Sequence, residues 1–255
     1  MTRFRLAAMS GLAAGMLVIS AGHIGAQHVA LPDARIQELA EHELGKRSEF
    51  KNVTVEVAAA TVTLRGEVRS LWAKDEAIGR ALSVEDVESV ISELMIPGAE
   101  SDEVLAEQIA EKIRNYVFYT IFDDVNIEVN DGVVRLTGQV TQPYRANEMA
   151  KLATRVAGVI ELHNNFEVLP VSIHDDQIRW TLASRIYNDT VFEASASWPN
   201  PPVHIIVKGG RVTLTGVVNS QVERRVAEVI ARGTFGVFSV ENKLKLERDL
   251  NRTRW

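Results

Sequence analysis

Cysteine is absent from the 255 residues, and its absence excludes several kinds of protein. The chain can form no disulfide framework, no thiolate metal site and no lipid-modified N-terminal cysteine. It must therefore be stabilised by the burial of its apolar residues, which make up 46% of the sequence. Folding units of roughly 65 to 75 residues achieve this only marginally without disulfides, so we expect neighbouring units to pack against each other.

The chain also has little of what catalysis and nucleic-acid binding require. Its six histidines show no metal-ligand spacing, and the sequence contains no G-x-S-x-G, Walker or Rossmann glycine pattern. No long run of like charge is present, and the net charge is −6. We therefore predict that the protein is not an enzyme and has no metal, no cofactor and no nucleic-acid partner. The alternative is a catalytic site assembled from residues that are far apart in the sequence.

The first 26 residues have the pattern of a secretory signal peptide. Arg3 and Arg5 precede an apolar run over residues 6–19, and small residues follow up to Ala26. The run is shorter than the about 20 residues that a membrane-spanning helix needs. We therefore predict that residues 1–26 are a signal peptide and that the protein is periplasmic, where it can lie against a membrane surface. The alternative is an uncleaved anchor.

Three segments of the remaining chain align with one another without a gap over forty-two residues. The aligned segments are residues 53–94, 125–166 and 203–244. Each contains one core glycine, and the spacings between the glycines are 72 and 78 residues. Agreement over so long a window predicts three copies of one unit. The predicted divisions are domain 1 (residues 31–100), domain 2 (101–173), domain 3 (174–250) and a tail (251–255).

The same order of hydrophobic patterns recurs in each domain. An amphipathic helix comes first, two alternating apolar strands follow, and a second helix and a last strand complete the unit. Asp131-Gly132 and Gly209-Gly210 favour a tight turn between the first two strands, whereas Ala59-Ala60 makes a poorer turn in domain 1. This order predicts an α+β fold with three tandem αββαβ domains, each a three-stranded mixed sheet with two helices on one face.

The helices carry capping residues and an apolar stripe. The predicted N-caps of the three first helices are Asp33, Ser101 or Asp102, and Asp175 or Asp176. The second helix of domain 3 has an apolar stripe at a period of 3.6 residues, which is typical of a helix that packs on a core. The stripe consists of Val222, Val226, Val229 and Ile230. Alanine recurs at one equivalent position, as expected where a helix lies close on a sheet: Ala81, Ala153 and Ala231.

These residues resemble the BON domain, a module named from osmotically inducible and nodulation-related bacterial proteins. The resemblance rests on the L-x-G core and on a later G-V-x-x-V-x-N-x-L run. That run includes Gly158 and Asn164 in domain 2, and Gly236 and Asn242 in domain 3. The family implies association with phospholipid or with envelope proteins, in support of envelope integrity or osmotic stress tolerance.

The glycines and asparagines of these motifs have a structural interpretation and a ligand-binding one. A single glycine at a strand end usually marks a bend before a helix, so we favour a structural role for the core glycines, Gly66, Gly138 and Gly216. An asparagine at a strand edge usually satisfies backbone groups. Domain 1 has Asp86 in place of the later glycine and Ser92 in place of the asparagine, so we expect its last turn to be built differently.

Charge distinguishes domain 3 from the other two. The net charges are −6, −5 and +3 for residues 28–100, 101–173 and 174–255. Only the third unit has a field that attracts anions, and its second helix carries three arginines. These candidate lipid- or partner-binding residues are Arg224, Arg225 and Arg232. The alternative is a solvated helix face, since Glu223 and Glu228 dilute the cluster.

Aromatic residues are concentrated in the loops that follow the first helices of domains 2 and 3. In domain 2 we expect them to pack against a neighbouring domain: Tyr116, Phe118, Tyr119 and Phe122. In domain 3, Trp198 lies in a proline-rich loop and is a candidate exposed anchor. Arg254 and Trp255 in the tail would suit a lipid headgroup region.

Together these features favour a non-catalytic periplasmic protein that binds an anionic phospholipid surface. The alternative is a structural adaptor that binds an envelope protein without lipid. Residues 233–236 spell the G-x-x-G of KH nucleic-acid modules, but they lie between a helix and a strand, whereas a KH loop joins two helices. The sequence indicates no oligomeric state.

Overall fold

The computed structural model describes residues 30–99 and 101–252 of the chain. The proposed signal peptide, and Arg254 and Trp255 of the tail, lie outside the described residues. Within them, one order of helix, strand, strand, helix and strand occurs three times, as the sequence predicts.

The elements are as follows. Domain 1 contains α1 (Asp33–Gly45), β1 (Val53–Ala58), β2 (Thr61–Glu67), α2 (Leu71–Leu82) and β3 (Ser89–Met95). Domain 2 contains α3 (Asp102–Arg114), β4 (Asp124–Asn130), β5 (Val133–Val140), α4 (Pro143–Thr154) and β6 (Glu161–Val168). Domain 3 contains α5 (Ile173–Tyr187), β7 (Val203–Lys208), β8 (Arg211–Val218), α6 (Gln221–Arg232), β9 (Ser239–Asn242), β10 (Lys245–Leu246) and α7 (Glu247–Arg252).

Each domain has a mixed sheet whose second strand is central. The first two strands pair antiparallel and the last strand runs parallel to the second, so the predicted sheet is confirmed. In domain 3 the last strand is interrupted, and its two short segments β9 and β10 both pair with β8. The two helices of each domain cover its sheet and enclose a separate apolar core.

The core glycine of each domain lies where the second strand passes close to the start of the first. Gly66, Gly138 and Gly216 have φ angles of +119°, +122° and +108°. A Cβ atom on these residues would overlap the carbonyl oxygen of Asn52, Asp124 or Pro202 respectively. The backbone conformation and the close approach both require glycine, and they give these three residues a role within the fold.

All three hairpin turns have the same left-handed backbone. Ala59 and Ala60 have φ angles of +49° and +57°, and Gly209 and Gly210 have +58° and +73°. Two consecutive residues with positive φ are typical of the type I′ turn, which matches the twist of the two strands. Domain 1 therefore builds the same turn as its neighbours with two alanines, which disfavour this conformation.

An aspartate at the start of each first helix binds this turn, and this corrects the capping prediction. The carboxylate of Asp175 accepts the backbone N–H groups of Gly209 and Gly210, each at 2.8 Å. Asp33 and Asp102 accept the corresponding N–H groups in domains 1 and 2. The actual N-caps are Pro32, Ser101 and Ser172, so only Ser101 was predicted correctly. Each aspartate instead joins a helix to a hairpin.

The turn before the last strand is also the same in all three domains. Gly158 and Gly236 have φ angles of +91° and +87°, and Asp86 adopts +62° at the equivalent position. In domain 1 the N–H of Glu88 donates to the carbonyl of Ala60, a bond that domain 3 repeats between Phe238 and Gly210. The expectation of a different turn in domain 1 is therefore wrong, because aspartate tolerates the left-handed conformation.

The asparagine of the last strand connects that strand to the second helix. The Asn242 side chain donates to the carbonyl of Arg224 at 3.0 Å and accepts the N–H of Leu244 at 3.2 Å. Asn164 makes the equivalent bonds, to Ala146 at 3.5 Å and from Phe166 at 3.4 Å. Both side chains therefore bind backbone groups.

Domains 1 and 2 meet at the joint between the end of β2 and the turn after α4. Gly158 donates its N–H to the carbonyl of Arg69, and Leu71 donates its N–H to the carbonyl of Val159, both at 3.1 Å. The Leu71 side chain packs against the core of domain 2. The Trp72 ring lies 4.8 Å from the guanidinium of Arg155, a favourable cation–π distance.

Domains 2 and 3 meet through the aromatic loop of domain 2. The N–H of Ile205 donates to the carbonyl of Ile121 at 2.7 Å, beside the outer edge of β7. Tyr119 packs on His204, and Phe122 packs edge-to-face on Trp180. The prediction that this loop packs between domains is confirmed for Tyr119 and Phe122. The other two aromatic residues, Tyr116 and Phe118, contact each other within domain 2.

Candidate binding surface on domain 3

Helix α6 begins with two reciprocal hydrogen bonds, similar to a capping box, that fix its first turn. The Ser220 hydroxyl accepts the N–H of Glu223 at 3.1 Å. The Glu223 carboxylate accepts the N–H of Asn219 at 2.8 Å in return. This reciprocal pair satisfies two backbone donors at the helix start and sets the direction of the helix. The rotation of α6 on the sheet then decides which side chains face the solvent.

Alanines, rather than the valine stripe, form the buried face of α6. Ala227 and Ala231 are fully buried against the sheet, while Val222 and Val229 are 61% and 59% exposed. Val226 and Ile230, the other two stripe residues, are only partly buried. The prediction of a core-facing stripe is therefore wrong for Val222 and Val229. The same face is alanine in domain 1, where α2 buries Ala77 and Ala81 and Ser92 replaces the asparagine, so the close packing of helix on sheet does not depend on Asn242.

The three candidate arginines do not share one environment. Arg225 and Arg232 are exposed, two helical turns apart, on the same side of α6 as Val222 and Val229. Arg224 is half-buried, and its carbonyl is the one that Asn242 binds. Glu228 pairs with Arg232 at 2.8 Å. Hydrogen bonds from Asn242 and Arg232 lower the pKa of Glu228, so this carboxylate stays ionised and offsets part of the positive charge.

Trp198 belongs to a different surface. It is 50% exposed in the loop between α5 and β7, and this loop is attached to domain 2 by Asn200, whose side chain donates to the carbonyl of Arg114 at 2.7 Å. Phe192 in the same loop is buried in the core of domain 3. Trp198 therefore lies beside the joint between domains 2 and 3, while Arg225 and Arg232 lie on α6.

A cluster of exposed apolar side chains at one end of domain 3 was not predicted from the sequence. We call this end the domain 3 tip, and its members are Val171, Ile173, Phe235 and Phe238. The two phenylalanines are 99% and 79% exposed. The hairpin turn brings these residues together, because Phe238 donates its N–H to Gly210 and Asp175 of α5 binds the same turn.

Two acidic residues of the described chain are buried. Asp123 is fully buried and forms an ion pair with Arg145 at 2.7 Å. It also accepts hydrogen bonds from Thr120 and Thr141. Asp175 is the hairpin-binding residue described above and is also buried. Both stabilise loops rather than offer charge to a ligand.

A polar cleft of about 480 Å³ lies between domains 2 and 3. Asp124 lines it together with Lys243 and Lys245, and His204 lies at its edge. The Nδ1 atom of His204 is 2.6 Å from the carbonyl of Asp123 and must donate to it, since a carbonyl only accepts. Burial lowers the pKa of His204, which keeps the ring neutral. The neutral imidazole therefore forms a hydrogen bond that joins domain 3 to domain 2.

Over residues 30–99 and 101–252, no group of three or more histidine, cysteine or acidic side chains is arranged to hold a metal ion. No helix within those residues has the length and apolar character needed to cross a bilayer. The surface of domain 3 offers exposed cations and apolar side chains, which are groups that bind interfaces.

Comparison with known proteins finds a similar curated protein and similar solved structures. Over 129 residues, or 48% of its length, the chain is 28% identical to osmotically-inducible protein Y of Escherichia coli, and the match spans 61% of that protein. The C-terminal domain of CdsD, a structural protein of the type III secretion system of Chlamydia trachomatis, is 17% identical. The match covers 85% of this chain and 99% of that domain, but its TM-score of 0.24 is too low to assign a fold.

A family model matches the chain three times, in the order of the three domains. The model is that of the BON domain, and the matches cover residues 32–98, 101–170 and 181–248. Together they include most of the chain, and each contains one core glycine. The chain therefore belongs to the BON domain family and carries three copies of the domain.

Proposed function

We propose that this protein is a non-catalytic periplasmic protein that binds an anionic phospholipid surface through domain 3 and supports envelope integrity under osmotic stress. The periplasmic location is inferred from the signal-like residues 1–26. The link to osmotic stress is inferred from the partial similarity to osmotically-inducible protein Y. The family and the three repeated domains support a binding role.

The observation that carries the proposal is the solvent face of α6. Arg225 and Arg232 are exposed there beside Val222 and Val229. A lipid headgroup region accepts this combination, because phosphates attract the guanidinium groups and the interface accepts the short apolar side chains. Domain 3 is also the only one of the three predicted units with a net positive charge.

Co-sedimentation with vesicles tests the proposal. The purified protein should sediment with vesicles that contain phosphatidylglycerol and should remain in solution with phosphatidylcholine vesicles. Reversing both exposed charges, Arg225→Glu with Arg232→Glu, should weaken binding by about tenfold or more, since each cation near an anionic surface contributes about 1 kcal/mol. Added salt should weaken binding of the unchanged protein in the same direction.

A matched variant controls for total charge. Lys51→Glu with Lys112→Glu makes the same change in net charge on exposed residues of domains 1 and 2, and this variant should bind as the unchanged protein does. Equal losses in both variants would mean that binding follows net charge and no particular face. Binding that salt and the arginine variant leave intact would contradict the electrostatic mechanism.

The second candidate function is a structural adaptor that binds an envelope protein without lipid. The turn after α4 favours it, because domain 2 uses this turn to bind another domain through backbone groups. A protein partner recovered from envelope extract, together with no binding to either kind of vesicle, would favour the adaptor over the lipid-binding function.

A further inference from the structure

The joint between domains 1 and 2 shows how one BON domain of this chain receives another. The receiving part is the turn after α4, where Gly158 donates its N–H and Val159 offers its carbonyl. The entering part is the junction between β2 and α2, where Arg69 offers its carbonyl and Leu71 donates its N–H. Two backbone hydrogen bonds and one apolar side chain thus define a receiving turn and an entering junction.

Domain 3 has the same receiving turn, and no other domain of the described chain is bound to it. The imidazole of His174 lies against Gly236, as Ala99 lies against Gly158. Gly236 and Val237 stand at the positions of Gly158 and Val159, 78 residues further along. Within the described residues, the Gly236 N–H and the Val237 carbonyl form no hydrogen bond like those that bind domain 1 to domain 2. The exposed side chains of Phe235 and Phe238 flank them.

These backbone groups favour a protein partner over the interior of a bilayer. An N–H and a carbonyl without partners are costly in hydrocarbon, so a tip that inserted deeply would have to leave this pair unsatisfied. A polypeptide that presents one carbonyl and one N–H at the same spacing satisfies both. The large apolar area around the pair is typical of a protein interface.

In a second copy of this chain, one junction keeps the backbone groups for the joint, with the polar Gln221 in place of Leu71. The junction of domain 1 is already bound to domain 2, and the junction of domain 2 has Pro143 at the position of Leu71 and therefore lacks the N–H. In domain 3 the position of Leu71 is taken by Gln221, the first residue of α6. The N–H of Gln221 makes no backbone hydrogen bond in the described chain.

We propose that the receiving turn of domain 3 binds the β8–α6 junction of a second copy of this chain, so that two molecules join through their third domains. The turn and the junction lie at opposite ends of the same helix, α6. In a dimer with two-fold symmetry the joint would form twice, with the two α6 helices antiparallel. The dimer does not depend on lipid binding.

Sedimentation equilibrium of the purified full chain, in the absence of lipid, tests the dimer. The unchanged protein should show a reversible monomer–dimer equilibrium. Phe235→Asp damages the receiving turn, and Gln221→Pro removes the junction N–H without breaking the helix, since domain 2 has proline at the same position. Each variant should weaken dimerisation by about tenfold or more. Val117→Asp places the same charge on an exposed apolar site of domain 2 and should have no effect.

Mixing the two variants gives the decisive measurement. In either variant alone, both joints of the dimer are damaged. In a dimer of one Phe235→Asp chain and one Gln221→Pro chain, one joint has both defects and the other has none, so the mixture should dimerise better than either variant alone. A monomeric unchanged protein, a dimer that neither variant weakens, or a mixture without recovery would each overturn the proposal. Vesicle binding that depends on Phe235 in a monomeric protein would assign the tip to lipid instead.

Discussion

The two-residue hairpin turns allow a reciprocal test of backbone strain within one molecule. Ala59 in domain 1 and Gly209 in domain 3 occupy equivalent positions with φ angles of +49° and +58°. A Cβ on Gly209 would have no atom within 4 Å, so packing does not confuse the comparison. Ala59→Gly should therefore stabilise domain 1, and Gly209→Ala should destabilise domain 3.

The size of the effect follows from two opposing contributions. An alanine in the left-handed region costs about 1–2 kcal/mol relative to its preferred conformation. Alanine also restricts the unfolded chain, which offsets about 0.4–1 kcal/mol of that cost. The expected net change is about 0.5–1 kcal/mol in the free energy of unfolding of the affected domain, with opposite signs for the two variants. The aspartate that binds each turn through backbone N–H groups is unaffected by either change.

Hydrogen exchange of the central strands is the appropriate assay, because a three-domain chain need not unfold in a single step. Protection of Leu64 in β2 should increase in Ala59→Gly, and protection of Leu214 in β8 should decrease in Gly209→Ala. Gly79→Ala in α2 is the control, since this helical glycine lacks a positive φ and has open space around it. The control should stabilise domain 1 by about 1 kcal/mol. Shifts of the same sign in both turn variants would refute the strain argument.

Two further changes test other parts of the structure. Gly216→Ala should destabilise domain 3 by more than about 3 kcal/mol, because the new Cβ overlaps the carbonyl of Pro202 and the positive φ is strained for alanine. The midpoint of thermal unfolding measures the loss of stability. The joint between domains 2 and 3 should weaken as the pH falls through about 6.5, because burial lowers the pKa of His204 and the folded chain therefore binds fewer protons there than the unfolded chain. Exchange of the Ile205 N–H, which crosses the joint, reports this, and His204→Asn should remove the pH dependence between about pH 5 and 8.

The repeated fold could be predicted from the sequence because its signals are local and occur three times. Alternation in the strands, the core glycines and the helical periods all agree, and the mixed sheet follows from their order. Asp33, Asp102 and Asp175 were misassigned because an aspartate at a helix start is equally suited to capping its own helix and to binding a distant turn. The recurrence of all three aspartates, each with a hairpin about 30 residues later, was the available signal.

The candidate surface could be predicted only in part. Charge separated domain 3 from the others, and Arg225 and Arg232 are exposed as expected. Helical periodicity alone could not decide between two stripes on α6, one of valines and one of alanines, because both repeat at intervals of three and four residues. Hydrophobicity favours burying the valines. The close packing of the helix on the sheet selects the alanines, as it does in domain 1 with Ala77 and Ala81.

The turn after the second helix shows how three copies of one backbone acquire different surfaces. A residue with positive φ and a hydrogen bond to the hairpin hold this turn in the same conformation in every domain. The exposed positions on either side of it are Glu85 and Glu88 in domain 1, Ala157 and Ile160 in domain 2, and Phe235 and Phe238 in domain 3. In domain 1 these side chains are charged. In domain 2 they are small or aliphatic, and domain 1 is bound to the turn beside them. Phe235 is 99% exposed and Phe238 is 79% exposed, and the Phe238 ring lies 5.8 Å from the guanidinium of Arg211. Exposed apolar side chains of that size favour aggregation unless a partner covers them. The simplest explanation for the two phenylalanines is therefore that a binding partner covers them.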